Sequence, residues 1–212
     1  MTDDITGDAP DHPQICLITP PEVDLATYPA LLSTCMDAVE ISCLRLSLSS
    51  QDEIEIGRIA DNLRQITDPR DIPIVIEDHG LIAQRHGLDG VHLTDGARSV
   101  AKWRKELGDD AIVGAFCGTS RHVGLNAGEI GADYAAFGPI GATALGGGDV
   151  VDPEFIEWWS MMIEVPMIVE GALDEALIRK MAPFTDFVAL GQEIWSHDDP
   201  AAQLKLLAAA ML

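Results

Sequence analysis

Arg45 lies inside an apolar run, Ile41-Ser42-Cys43-Leu44-Arg45-Leu46-Ser47-Leu48, in which leucines alternate with Cys43, Arg45 and Ser47. Period-two alternation assigns the two sets to opposite faces of a strand, so with the leucines meeting helices Arg45 points inward. A guanidinium in such a place must be paired, because an isolated buried charge is strongly destabilising. Its partner is either an anionic ligand or the Glu77-Asp78 pair that ends the next apolar run. If the partner is a ligand, Arg45→Ala abolishes anion binding and changes stability little. Glu77 and Asp78 suit Mg²⁺, which is commonly held through one or two carboxylates; alternatively Asp78 caps the helix that follows. His122 comes just after Ser120-Arg121, where Ser120 reads as an N-cap. It is either a catalytic acid/base or an exposed first-turn histidine. His92, within Gly90-Val91-His92-Leu93, fits a hydrogen-bonded core residue better than a catalyst, and Cys117 fits an inert buried thiol, since nothing near it in sequence lowers its pKa. Gly171 and Gly191 follow two later apolar runs and could offer backbone N–H groups to a phosphate. Glu170 opposes that role, since a carboxylate repels a phosphate beside it.

These residues recur at the ends of short apolar runs spread along the whole chain. Runs at residues 15–18, 41–48, 72–76, 90–93, 111–116, 133–137, 166–169 and 186–190 alternate with helix-period segments, the pattern of βαβ units. Eight units match an α/β protein of the (β/α)8 TIM-barrel type, in which chemistry sits at the C-terminal ends of the strands. A doubly wound open sheet is the alternative, but it calls for a Gly-rich turn after the first strand, where this chain has Thr19-Pro20-Pro21. The expected organisation is a disordered acidic N-terminus over residues 1–13 and a single barrel over 14–212.

Composition narrows the partners. The 212 residues contain 13 Lys+Arg and 35 Asp+Glu, a formal net charge of −22. Such a surface repels nucleic-acid backbones and anionic lipid. No apolar stretch approaches the roughly 20 residues of a membrane span, and the start carries no export-type leader, so a cytoplasmic protein with a small-molecule ligand is expected. Four cysteines without C-x-x-C spacing predict reduced thiols. The Trp158-Trp159 and Met161-Met162 cluster fits the core or the interface of a homo-oligomer.

The stretch Ile76-Glu77-Asp78 through Asp89-Gly90-Val91-His92-Leu93, then Gly131-Ala132-Asp133-Tyr134 with Phe137-Gly138-Pro139 and Thr143, resembles thiamine-phosphate synthase and its sister, the thiazole tautomerase. The likeness runs from Ile15 to at least Trp195. It implies a (β/α)8 barrel that joins hydroxymethylpyrimidine diphosphate to thiazole phosphate with Mg²⁺ and releases diphosphate. Carried over residue by residue, it keeps Arg45 for the diphosphate, Asp78 with Glu77 for the metal, and Thr143, Gly171 and Gly191 for substrate. The glutamine and lysine flanking the family's arginine are Cys43 and Ser47 here. Its second metal aspartate is missing unless Asp95 substitutes, the loop lysine is Gly146, the first glycine of a phosphate-holding pair is Glu170, and the tautomerase histidine has only His122 as an approximate stand-in.

No Lys or Arg occurs between Arg121 and Arg179, so the lysine has not moved along its loop. Three functions follow. The first is a thiamine-phosphate synthase of reduced activity. The second is a tautomerase-like isomerase or lyase using His122 or Glu170, and the third a non-catalytic barrel that binds a metabolite.

Overall fold

The computed structural model describes residues 12–143 and 149–212. Most of the expected acidic lead-in, and Gly146, lie outside the described residues. Eight parallel strands close into a barrel in chain order: β1 (Gln14–Ile18), β2 (Cys43–Leu46), β3 (Ile74–Glu77), β4 (Gly90–Leu93), β5 (Ile112–Phe116), β6 (Tyr134–Phe137), β7 (Met167–Glu170) and β8 (Phe187–Leu190), with β8 pairing back onto β1. Closure excludes the open sheet. The helices are α1 (Tyr28–Ala38), α2 (Glu53–Thr67), α3 (Gly80–His86), α4 (Val100–Leu107), α5 (Arg121–Glu129), α6 (Pro153–Met162), α7 (Glu175–Met181), α8 (Gln192–Trp195) and α9 (Pro200–Ala209). None of the described helices is long and apolar enough to cross a membrane.

Part of the large acidic complement has local structural work. Asp52, Asp152, Asp174 and Asp199 cap helices by accepting backbone N–H bonds, and Ser120 caps α5 in the same way. Three further aspartates stand immediately before even-numbered strands. Asp89 accepts the backbone N–H of Ile74, Asp133 that of Val113 and Asp186 that of Met167, at 2.6–2.7 Å. Each carboxylate thus ties the start of one strand to the start of the next.

The strand faces divide as the alternation in β2 predicts. Leu44 and Leu46 join the layer between barrel and helices, with Ile56, Leu63, Trp159 and Leu204. The interior cluster is small and separate: Cys16, Tyr134, Ala136, Ile168 and Ala189, with Cys43 against it. The run expected over 41–48 pairs as a strand only over Cys43–Leu46; the Ser47 N–H instead donates to Thr19 Oγ1 at 3.0 Å. Of the aromatic cluster, Trp159 is core, whereas Met161 and Met162 are exposed.

Gly114 in β5 makes room for the largest interior side chain, because a Cβ there would lie 1.9 Å from Cζ of Tyr134. Gly114→Ala must push that ring aside within a closed barrel. The expected cost is about 1–3 kcal/mol, or a fall in Tm of roughly 2–4 °C per kcal/mol for a chain of this size, read by thermal unfolding.

Candidate functional site

The C-terminal mouth opens onto a cavity of about 860 Å³. Arg45 stands at its floor, 2% exposed, as the inward face of β2 requires. Its Nη1 donates to Glu170 Oε2 at 2.8 Å and to His92 Nε2 at 2.9 Å. Its Nε lies 3.3 Å from Glu77 Oε1, an ion pair without hydrogen-bond alignment, so this buried N–H has no acceptor among the described residues. Glu77 in turn accepts the Ser47 hydroxyl at 2.8 Å. Glu77 was one of the partners expected for Arg45. Glu170, which comes from β7, was not, and it makes the shorter contact.

Charges and protons in this group depend on one another. Burial alone would push the Arg45 guanidinium down, but the Glu170 carboxylate holds it above its ordinary range. Burial raises the carboxyl of Glu77, partly opposed by Arg45 and Ser47. His92, 1% exposed, is driven well below the usual imidazole range by burial and then by the neighbouring guanidinium. It is therefore neutral. With Nε2 accepting from Arg45, the proton is assigned to Nδ1, which donates to the Tyr134 hydroxyl at 2.8 Å. His92 is the hydrogen-bonded core residue that its apolar setting suggests.

The remaining candidates separate. Thr143, Gly171 and Gly191 line the cavity, Gly171 with φ +88°. Glu77 lines it as well, but Asp78 does not: with φ +54° its exposed side chain turns to Thr94, accepting the backbone N–H at 2.9 Å and the hydroxyl through its other oxygen. Nor does Asp78 cap α3, whose N-cap is His79. Asp95 is exposed and accepts the Ser99 hydroxyl. Among the described residues no group of three or more His, Cys, Asp or Glu could hold a metal ion. The structure separates the expected magnesium pair: Glu77 lines the cavity and serves Arg45 and Ser47, while Asp78 serves Thr94 outside it.

His122 is likewise exposed on the first turn of α5 and does not line the cavity, so the structure does not bring it to Arg45. Arg121, beside it, stacks its guanidinium 3.9 Å from the centre of the Trp158 ring. Cys117 is buried, its thiol pushed up to about 12 by desolvation. Glu193, on the first turn of the short helix α8, also lines the cavity, a residue that sequence reasoning did not single out.

A family model described as thiamine monophosphate synthase matches residues 15–194. This chain belongs to that family. The thiamine-phosphate synthase of Rhodospirillum centenum is 35% identical over 192 residues, covering 89% of this chain and 93% of the relative. That of Erythrobacter litoralis is 34% identical over 198 residues, covering 89% and 91%. Among solved structures, the thiamine phosphate pyrophosphorylase from Pyrococcus furiosus superposes with a TM-score of 0.81 at 18% identity, over 93% of this chain and 95% of the other, a likeness of fold.

Two predictions arise from the synthase-family mouth. The expectation that Arg45→Ala leaves stability nearly unchanged does not hold, because the substitution strands Glu77 and Glu170 in a partly buried site. A loss of about 3–5 kcal/mol is expected in denaturant unfolding at pH 7, and a smaller loss at pH 5, where protonation of Glu77, whose carboxyl burial raises, relieves part of it. His92 gives the opposite slope in the wild type. Its folded pKa is depressed, so the unfolded chain takes up a proton that the folded chain refuses once pH falls below about 6.5. Its contribution to stability is thus present above that pH and is lost on acidification, by up to about 1.4 kcal/mol per pH unit. Denaturant midpoints measured from pH 7 to 5 should show this slope reduced by about one proton in His92→Gln.

Proposed function

We propose that this barrel joins the pyrimidine methylene of hydroxymethylpyrimidine diphosphate to the nitrogen of a thiazole, and does so slowly. Family membership over residues 15–194 carries the proposal, and the cavity at the barrel mouth is of a size suited to small heterocycles. The azole nitrogen forms the new C–N bond, the C–O bond to diphosphate breaks, and its electron pair leaves with the diphosphate. The nitrogen becomes a permanent cation. Glu170 and Glu77, fixed in the mouth, favour that developing positive charge.

The leaving anion fares worse. Arg45 is the only Lys or Arg lining the cavity among the described residues, and two carboxylates already share its charge. Losing a single preorganised group that stabilises transition-state charge commonly costs about 10²–10³ in rate. Thr143 lines the same cavity.

The test follows diphosphate release and product formation when the full chain is given hydroxymethylpyrimidine diphosphate with a thiazole acceptor, with and without Mg²⁺, beside a relative such as the R. centenum enzyme. Turnover some 10²–10³ slower than the relative's is expected. Turnover equal to the relative's overturns the reduced rate. No product with any thiazole acceptor overturns the coupling and favours a barrel that only binds a metabolite.

A further inference from the structure

Two of the four cysteines stand side by side in the barrel interior. Cys16 of β1 and Cys43 of β2 are direct partners in the parallel ladder. Cys16 belongs to the small interior cluster that includes Tyr134, and Cys43 packs against it. Neighbouring strands lie about 4.8 Å apart, a separation within the Cα range that a disulfide bridges. Cys43 and Arg45 are successive inward residues of β2, so the pair lies one layer beneath the guanidinium. Both are free thiols in this structure.

The two sulfurs have complementary chemistry. The Cys43 thiol lowers the pKa of Cys16 against the opposing effect of burial, and Arg45 lowers it further. Cys43 is raised by the same contact and by burial, so within the pair Cys16 is the sulfur that ionises, and the thiolate is the reactive form. Cys16 is 1% exposed, but Cys43 is only partly buried, which offers a water-sized oxidant an approach to the pair. The other two cysteines are placed differently. Cys35 lies on α1 and Cys117 just after β5, and burial pushes them up to about 11 and about 12.

We propose that Cys16 and Cys43 are a peroxide-sensitive dithiol that closes into a disulfide beneath Arg45. The oxidant is hydrogen peroxide. The ionised Cys16 sulfur attacks one peroxide oxygen, the O–O bond breaks, and the hydroxide released takes up the proton that Cys16 gave up and becomes water. The Cys43 sulfur then forms the S–S bond by displacing the hydroxyl of the sulfenic acid, which leaves with the Cys43 proton as a second water. Two thiols are thus oxidised and one peroxide is reduced to two waters. The new bond ties β1 to β2 under the site and removes the ionisable sulfur that Arg45 faces.

The test uses the full, reduced chain under native conditions and does not require turnover. The protein is treated with hydrogen peroxide while circular dichroism follows its fold, the remaining thiols are alkylated in denaturant, and the product is read by intact mass and peptide mapping. A single chain is expected that has lost two hydrogens, carries alkyl groups on Cys35 and Cys117 only, and joins the Cys16 and Cys43 peptides. Dithiothreitol should restore all four alkylatable thiols. Cys16→Ser and Cys43→Ser, each first checked for a cooperative thermal transition, should both lose the bond within the chain; if either fails that check, the map of the wild type decides alone. Four alkylated cysteines after peroxide, a disulfide that involves Cys35 or Cys117, a bond only between two chains, or a Cys16–Cys43 bond that appears only once the circular dichroism signal is lost overturns the proposal.

Discussion

A guanidinium enclosed at the centre of the barrel mouth is the constraint around which the site is arranged. Arg45 is 2% exposed, and a charge so placed is tolerable only with counter-charge and hydrogen-bond partners at hand. Glu77 supplies one carboxylate from the adjacent strand and Glu170 another from across the interior. His92 has to stay neutral so that Nε2 can accept from the guanidinium, and the Tyr134 hydroxyl accepts the hydrogen bond donated by the other nitrogen. Even Gly114 belongs to this arrangement, since its missing Cβ is the space that the Tyr134 ring fills.

That internal balance bears on the chemistry of the family. A coupling that expels diphosphate creates an anion to be stabilised and a cationic ring nitrogen to be accommodated. The described part of this mouth is equipped for the second task much more than the first. Its one cation is already matched by the chain's own acids, while Glu77, Glu170 and Glu193 leave an excess of negative charge among the lining residues. Arg121, at the start of α5, stacks on the Trp158 ring and does not line the cavity.

The barrel was legible in the sequence because its signal is repeated eight times. Each short apolar run between helix-period segments locates a strand to within a few residues, and the period of two in β2 decides where Arg45 points. Pairing across the interior was not legible. Glu170 lies 125 positions from Arg45, and only barrel curvature brings β7 opposite β2. Asp78 escaped for a local reason: a left-handed φ turns its side chain to Thr94 and away from the cavity, a backbone property that a Glu-Asp-His sequence does not announce. His122 depended on which way the first turn of α5 faces, which the Ser120 cap leaves undetermined. Glu193 was hidden because a carboxylate near a helix start ordinarily does nothing more than complement the helix dipole.

The two unexpected carboxylates at the mouth are not equivalent. Glu170 is the nearest counter-charge of a buried arginine, so replacing it to make the site more hospitable to phosphate also unpairs Arg45, and any gain in anion affinity is coupled to a loss of stability. Glu193 forms no ion pair among the described residues and accepts the backbone N–H groups of Leu173 and Gly191. Replacing Glu193 therefore leaves no buried charge unpaired, whereas replacing Glu170 does. Substitution thus meets less electrostatic resistance in the loop after β8 than at the end of β7, where the carboxylate balances a buried guanidinium.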